Sequence, residues 1–318
     1  MPPIAYELGG HVLAGAISLF ATVTVERLEK AQVVVTSEDF SEQIEVRSPE
    51  ALVYDGRLDL LKAAVRRFAP NGGVKVEVRS DALPGSGTGS SAAVGVALVA
   101  ALSAMAGQLL PADEVGEAAR LLETEELKNA CGRQDQYTAA YGGINLWHFG
   151  EHTVSGGALM LAPEVLRELE QRLVLCYSGA SRISGAVVSR VTDRYKHRDE
   201  AVVAALAKLG ELAQQGAYHL LARGIDRFGC LLGENWQAQR ALDPGITTAR
   251  VDELMAIAKG AGALGGKALG AGGGGCLLFC CAAGREAEVR RELAQHDAVP
   301  LRWTFWEQGV EVWRSPDR

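Results

Sequence analysis

The sequence predicts a globular protein of mixed helices and strands, of the α/β type, and three observations lead to this prediction. Its 318 residues are enough for about two domains at roughly 150 residues each. Hydrophobic residues make up 48% of the chain and charged residues 22%, so it can bury a large core, which excludes a mainly disordered protein. Short alternating runs are interleaved with longer runs of helical spacing, which indicates that strands and helices share the chain.

Charge and cysteine content narrow the class of protein. The formal net charge is −7 and no basic block offsets it, which argues against nucleic acid as a partner. The six cysteines form no C-x-x-C pair, so they read as buried thiols of a reducing compartment, and zinc is not expected. Residues 1–8 show no secretory signal, and the low-charge stretch 92–110 predicts a buried helix and no membrane partner. We therefore expect a cytoplasmic protein.

The first half of the chain predicts strands that alternate with helices. Residues 74–78 alternate strictly between valine and a charged residue, which is typical of a half-buried strand. Residues 58–68 place apolar side chains at helical spacing, with basic side chains on the other side. Further strands are predicted within residues 15–26 and 32–36, and further helices at 92–107 and from 114 to about 128.

The second half predicts a sheet covered by helices on one face. Its predicted strands are residues 172–177, 276–281 and 301–306, and its predicted helices are residues 184–195, 201–214, 218–238, 251–259 and 286–295. No long Pro- or Ser-rich linker separates the halves. We place the domain boundary near residue 168, which predicts domains at residues 1–168 and 169–318.

A first glycine cluster is the sharpest feature of the sequence. It follows a predicted strand, precedes the apolar helix, and consists of Pro84, Gly85, Ser86, Gly87, Thr88, Gly89, Ser90 and Ser91. Backbone N–H groups of such a loop converge with the positive end of the helix, which suits a di- or triphosphate. The alternative is a flexible turn in which the serines cap the helix. Neither common phosphate loop fits. The G-x-x-x-x-G-K-[ST] pattern fails at Gly266-Lys267, because Ala261 and Ala268 stand at its required positions. A G-x-G-x-x-G dinucleotide fingerprint from Gly85 would need glycine where Ser90 stands.

Two acids and a second glycine cluster complete the candidate chemistry. Glu123 and Asp135 lie 12 residues apart, one on a predicted helix and one on the following loop, so both can face one site. One could ligate Mg²⁺ and the other could accept a proton from a hydroxyl. The alternative is a solvated acidic helix face and a capping aspartate. Residues 260–275 hold the second cluster, which permits close backbone approach to a ligand or forms only a tight connection.

Two motifs resemble those of one superfamily, which comprises galactokinase, homoserine kinase, mevalonate kinase and phosphomevalonate kinase (GHMP). The first is at residues 84–93, which read Pro-Gly-Ser-Gly-Thr-Gly-Ser-Ser-Ala-Ala and resemble the family motif P-x-x-x-G-L-G-S-S-A-A. Residues 267–275, Lys-Ala-Leu-Gly-Ala-Gly-Gly-Gly-Gly, resemble its C-terminal glycine motif. Residues 131–137, 142–145, 177–182 and 234–236 are similar to its sugar kinase branch, which includes heptose 7-phosphate kinases and the kinase part of fucokinases. The resemblance extends over essentially the whole chain from Gly9 onward.

The resemblance implies an α+β fold, with an N-terminal domain like ribosomal protein S5 domain 2, a ferredoxin-like C-terminal domain and an active site between them. It implies a phosphotransferase with an alcohol acceptor, which moves the γ-phosphoryl group of ATP to a sugar or sugar phosphate, in this branch the anomeric hydroxyl of a heptose 7-phosphate. The loop of residues 84–91 would hold the ATP phosphates, Ser90 and Glu123 would ligate Mg²⁺, and Asp135 would be the catalytic base or orienting carboxylate. Substrate contacts would come from Arg182, Gly272, Gly273 and Gly274. The resemblance is compatible with a homodimer.

One departure from the family pattern supports an alternative function. Members of the family carry a strand with a basic residue and an A-G-G-G-T-D-like segment before the stretch that stands here as residues 9–13, and we expect this chain to lack that strand. A basic side chain there can stabilise phosphoryl transfer. The alternative is therefore a catalytically impaired sugar- or nucleotide-binding protein on a kinase fold. A nicotinamide-dependent oxidoreductase is a third hypothesis, which requires that Ser90 and the acids be misread.

Overall fold

The computed structural model describes residues 7, 9–129, 131–180 and 185–315. They divide into two compact units. Unit I comprises Ala16–Pro84, Gly89–Gly143 and the chain from Trp306 onward, and unit II comprises the chain up to Gly15, Gly85–Thr88 and Ile144–Phe305. Each unit thus combines segments that are distant in sequence. The boundary near residue 168 divides the chain by sequence position and stays a prediction.

The strands, in chain order, are β1 (Gly10–Gly15), β2 (Ala21–Arg27), β3 (Val33–Ser37), β4 (Glu42–Val46), β5 (Val74–Ser80), β6 (Ile144–Phe149), β7 (Val154–Ala158), β8 (Leu173–Tyr177), β9 (Ala263–Ala268), β10 (Cys276–Cys281) and β11 (Val299–Pro300). The α-helices are α1 (Asp59–Phe68), α2 (Ser90–Met105), α3 (Ala112–Leu121), α4 (Gln134–Tyr141), α5 (Pro163–Arg172), α6 (Gly185–Lys196), α7 (Glu200–Leu221), α8 (Ile225–Leu242), α9 (Ala249–Ala261) and α10 (Glu286–Gln295). Among the described residues, no helix combines the length and apolar character that crossing a membrane requires.

Unit I contains a four-stranded sheet in the order β2-β5-β3-β4, in which only the β3–β5 pair is parallel. Alternate valines of β3 and β5 are buried because successive side chains of a strand point to opposite faces. They pack into one hydrophobic core with apolar residues of α1 and α2. Helix α2 is apolar nearly all round, as the sequence predicts for a buried helix.

Unit II contains two antiparallel sheets, one in the order β1-β6-β7 and one in the order β11-β8-β10-β9. The central strands β8 and β10 are buried along most of their length, which explains their continuous apolar composition. The predicted strand at 276–281 and the predicted helix at 286–295 are confirmed at their bounds. The sequence did not predict six of the strands, β1, β4, β6, β7, β9 and β11, or the helices α4 and α5.

The break between the two long helices lies later than the sequence predicts. Helix α7 is continuous to Leu221, whereas the sequence predicts that one helix ends at 214 and the next begins at 218. Gly216 lies inside α7 because the helix packs closely there, and a Cβ at that position would be 3.1 Å from Leu13. This glycine permits close packing and does not end the helix.

Two other predicted elements are wrong in part. Residues 301–306 alternate in burial but form no ladder, because their backbone groups bond to scattered partners; the Phe305 N–H, for example, donates to the Glu170 carboxylate. The alternating sequence of these residues therefore indicated which side chains are buried, but it did not indicate pairing with a neighbouring strand. The helix predicted from 114 to about 128 is α-helical only to Leu121 and continues as a π-helical turn over Leu122–Glu126.

Candidate active site

The alternating glycines of the first cluster have a backbone conformation that favours glycine. Gly85, Gly87 and Gly89 have φ angles of +71°, +78° and +78°. A Cβ on Gly87 would lie 2.9 Å from the carbonyl oxygen of Leu269. Gly89 itself is the N-cap residue of α2, so the serines do not occupy that capping position. The part of the alternative interpretation in which the serines cap the helix is therefore wrong.

The segment Gly85–Thr88 packs against the second glycine cluster within unit II. The N–H of Cys276 donates to the carbonyl oxygen of Ser86 at 2.6 Å, and a Cβ on Gly275 would lie 2.5 Å from that oxygen. Ser86 is buried, and its hydroxyl lies 2.8 Å from the hydroxyl of Thr88. The structure therefore brings together two loops that lie about 190 residues apart in the sequence, through contacts that only glycine permits.

The loop of Gly272–Gly275 uses its amide hydrogens inside the protein. The N–H of Gly272 donates to Leu269, that of Gly273 to Ile246 and that of Gly275 to Ala180, each time to a carbonyl oxygen. These bonds hold the loop in a defined path. The N–H groups of Gly272, Gly273 and Gly275 are therefore already engaged within the protein.

The N-terminal end of α2 carries a partial positive charge from backbone N–H groups that the helix itself does not pair. The first N–H groups of a helix have no partner within the helix, and the aligned peptide dipoles add about half a positive charge there. Gly89 has no side chain with which to satisfy them. Ser90 and Ser91 are the first two helical residues, so their hydroxyls also belong to this end. An anion is favoured at this position.

Glu123 lies beside the start of α2 within unit I. It belongs to the π-helical turn, in which the N–H of Leu127 donates to the carbonyl of Leu122. Its Oε1 accepts a hydrogen bond of 2.7 Å from Nε2 of Gln136, and its Oε2 lies 3.5 Å from the hydroxyl of Ser91. The hydroxyl near Glu123 is thus that of Ser91, whereas the family resemblance implied Ser90 as the metal ligand, and that role of Ser90 stays a prediction.

Asp135 lies in the first turn of α4, so its predicted position on a loop is wrong, and it packs against Gly89. A Cβ on Gly89 would be 3.4 Å from Cβ of Asp135, so the bare glycine lets this aspartate approach the start of α2. Nε2 of Gln134 donates to Oδ1 of Asp135 at 3.2 Å. The structure therefore gathers Ser91, Glu123 and Asp135 around one helix end.

The electrostatics of this cluster favour proton acceptance and cation binding. Burial raises the pKa of Glu123, and the charge of Asp135 raises it further against the opposing hydrogen bonds of Gln136 and Ser91. Desolvation also raises the pKa of Asp135, although this residue is exposed to solvent. Burial raises the pKa of the nearby Cys131 thiol to about 12, so it is a poor nucleophile.

The donor set fits Mg²⁺ in a site completed by phosphate. No group of three or more His, Cys, Asp or Glu side chains within the described ranges could hold a metal alone. Carboxylate and hydroxyl oxygens are nevertheless present together, and Mg²⁺ commonly binds through one or two carboxylates plus phosphate and water. The pKa of Glu123 is raised mainly by burial and in smaller part by repulsion from Asp135, and a bound cation would relieve that repulsion.

Other residues extend or fall outside the predicted site. Arg182 lies outside the described residues. Gln136 was missed because one glutamine among several polar neighbours carries no local signal of its partner. Lys267, in β9 within the second glycine cluster, is half-buried, and burial lowers the pKa of its ammonium to about 8. Its position next to a glycine run was visible in the sequence, but its burial was not.

Comparison with known proteins identifies the same family in both halves of the chain. Residues 58–143 match the family described as GHMP kinases N terminal domain, and residues 211–298 match GHMP kinases C terminal. The chain is 26% identical over 311 residues to D-glycero-alpha-D-manno-heptose 7-phosphate kinase of Campylobacter jejuni, covering 96% of this chain and 91% of that one. It is 30% identical over 248 residues to mevalonate kinase of Pyrococcus furiosus, covering 76% of this chain and 70% of the relative.

A solved structure confirms the fold class. The crystal structure of a D-glycero-D-manno-heptose 1-phosphate kinase from Bacteriodes thetaiotaomicron superimposes with a TM-score of 0.80 at 25% identity, covering 99% of this chain and 94% of that one. The α+β kinase fold that the resemblance implied is therefore confirmed, as is a phosphotransferase with an alcohol acceptor. With both family domains matched in order and the glycine loop and acids in place, this chain belongs to the GHMP kinase family.

Proposed function

We propose that this protein transfers the γ-phosphoryl group of ATP to a hydroxyl of a sugar phosphate, with Mg²⁺ as cofactor. The observation that carries the proposal is the cluster of Ser91, Glu123 and Asp135 at the start of α2. A phosphate-binding helix end, an oxygen ligand for a cation and a carboxylate with a raised pKa are the parts that direct phosphoryl transfer needs.

The loop of residues 84–91 would hold the triphosphate. Its left-handed glycines and the unpaired N–H groups at the start of α2 suit phosphate oxygens. Glu123 and the serine pair Ser90–Ser91 would hold Mg²⁺, with Ser91 already beside the carboxylate. The ion, when bound, would neutralise the charge of the phosphate oxygens. Glu123 would supply carboxylate oxygen to the Mg²⁺ site and would not take part in proton transfer.

Asp135 would orient the acceptor hydroxyl and accept its proton as the O–P bond forms. A carboxylate with a raised pKa is a stronger base than an ordinary aspartate, so it is better matched to neutral pH. Its approach to Gly89 places it at the end of the helix where the phosphates would lie. No covalent enzyme intermediate is needed, because positioning and charge neutralisation supply most of the catalysis.

For the acceptor we propose the anomeric hydroxyl of a heptose 7-phosphate. Support comes from the Campylobacter jejuni relative, whose name gives that substrate and whose similarity extends over almost the whole chain. Arg182 and Gly272–Gly274 remain proposed substrate contacts. We propose the cytoplasm as the location, because all six cysteines are free, as is usual in a reducing compartment.

The test compares wild type with Asp135→Asn for ADP release from ATP in the presence of heptose 7-phosphate and other sugar phosphates. We expect Asp135→Asn to lose about 10²- to 10⁴-fold in kcat while ATP binding by calorimetry is retained. Asp113→Asn is the matched control, since Asp113 is an exposed aspartate in the first turn of α3 in the same unit. Normal turnover by Asp135→Asn would refute its role. ATP binding by wild type without ADP release for any sugar phosphate would favour a binding protein instead.

A further inference from the structure

Gln136 is a buried polar residue that the proposed reaction does not yet use. Its side chain is 3% exposed and lies one position after Asp135 in α4. Its Nε2 donates to Oε1 of Glu123 at 2.7 Å and also lies 3.8 Å from Sγ of Cys131. A buried amide requires such partners, because an unsatisfied one would cost about 1–3 kcal/mol.

These two contacts also determine which way the amide points. Both acceptors lie on the NH₂ side, and that group carries both hydrogens of the amide. Rotating the amide by half a turn would direct its carbonyl oxygen at the Glu123 carboxylate, which repels it. The neighbours therefore hold Gln136 as a donor toward Glu123.

The consequence falls on the two oxygens of Glu123. Within the described part of the chain, Oε1 is occupied by the short bond from Gln136, whereas Oε2 has only the long contact of 3.5 Å with Ser91. Oε2 is therefore the oxygen that the carboxylate offers to a cation.

We propose that Gln136 is a positioning residue that occupies Oε1 of Glu123, presents Oε2 alone to the metal and thereby favours Mg²⁺ over Ca²⁺. This inference rests on the proposed function, in which Glu123 is a metal ligand. Mg²⁺ is small and octahedral and accepts single carboxylate oxygens, whereas Ca²⁺ takes more ligands and readily accepts both oxygens of one carboxylate. A carboxylate with one oxygen engaged suits the smaller ion.

The experiment measures Mn²⁺ binding to the ATP-loaded protein by electron paramagnetic resonance, followed by displacement with Mg²⁺ or Ca²⁺. Gln136→Met keeps the length and helix propensity of the side chain but removes the donor. Gln136→Asn keeps a buried amide but is one methylene shorter. Gln214→Met is the control, since Gln214 is an exposed glutamine of α7 whose amide bonds only to its own helix. Thermal unfolding and metal-free ATP binding are measured on each protein.

We expect Gln136→Met and Gln136→Asn to weaken Mn²⁺ binding by about 10- to 100-fold, as substitutions behind metal ligands commonly do. The preference for Mg²⁺ over Ca²⁺ should fall several-fold, while metal-free ATP binding and Gln214→Met remain as in wild type. If Gln136→Met does not fold, Gln136→Asn decides. Wild-type affinity and preference in the folded Gln136 variants would overturn the role of Gln136 alone. A wild type that binds ATP but no Mn²⁺ would instead overturn the proposed function, and this inference with it.

Discussion

Alanine at position 87 tests whether the first glycine cluster packs as described. Gly87 has a φ of +78°, and the nearest atoms to an added Cβ would be backbone atoms, namely the carbonyl oxygen and carbon of Leu269 at 2.9 and 3.2 Å and the nitrogen of Gly270 at 3.5 Å. Backbone atoms cannot rotate away as a side chain can. Gly87→Ala therefore imposes both a strained conformation and a close contact.

Each part of the effect has its own magnitude. The left-handed conformation costs an L-residue about 1–2 kcal/mol. Forcing an extra carbon into a packed place costs about 1–3 kcal/mol more. Gly284→Ala separates the two effects, because Gly284 lies in the same unit with the same φ of +78° and has no atom within 4 Å of an added Cβ. The difference between the two variants therefore reports the contact with Leu269.

The assay is urea unfolding of wild type, Gly87→Ala and Gly284→Ala at one pH, with the free energy of unfolding extrapolated to water. We expect Gly284→Ala to lose about 1–2 kcal/mol through its backbone alone. Gly87→Ala should lose about 1–3 kcal/mol more than that. Equal losses for the two variants would show that the loop does not pack against Leu269, and the account of the alternating glycines would fail.

Two further predictions concern titratable groups. Burial raises the pKa of Glu123 above its ordinary value of 4.5, so its contribution to stability is complete below pH 4.5 and is lost as pH rises through the folded-state pKa. Glu123→Gln should thus be more stable than wild type at pH 7 and equal to it below pH 4.5, and urea unfolding between pH 4 and 8 measures this; a variant less stable at pH 7 would contradict the assigned direction. Burial raises the pKa of five cysteines to about 11 or 12, whereas Cys230 is exposed. Iodoacetamide at pH 8 should therefore alkylate one thiol per chain rapidly, at Cys230, and peptide mass spectrometry showing early labelling elsewhere would refute this.

The glycine loop and the acids could be recognised from the sequence because their signals are local. Alternating glycines followed by an unbroken apolar helix predict a loop that needs left-handed residues, and Gly85, Gly87 and Gly89 have that conformation. The composition of residues 90–105 is enough to predict a buried helix. The valines of β5 indicate a strand for the same reason, since alternation within a few residues sets which face is buried.

Orientation and partnership, in contrast, depend on residues far apart in the chain. Ser91 meets Glu123 across 32 positions, and Gln136 meets it across 13. Successive residues of a helix point about 100° apart, so a single π-helical turn redirects the side chains that it carries. From the sequence alone, Gly216 likewise indicates the end of a helix. The structure shows instead that it lies within α7, where it permits close packing against Leu13. Short stretches of sequence therefore determined which residue types are available for catalysis and which local backbone conformation they adopt. Only the tertiary structure decided that the hydroxyl of Ser91 and the amide of Gln136 contact Glu123. The reason is that the direction of a side chain is set by neighbours that are distant in the sequence.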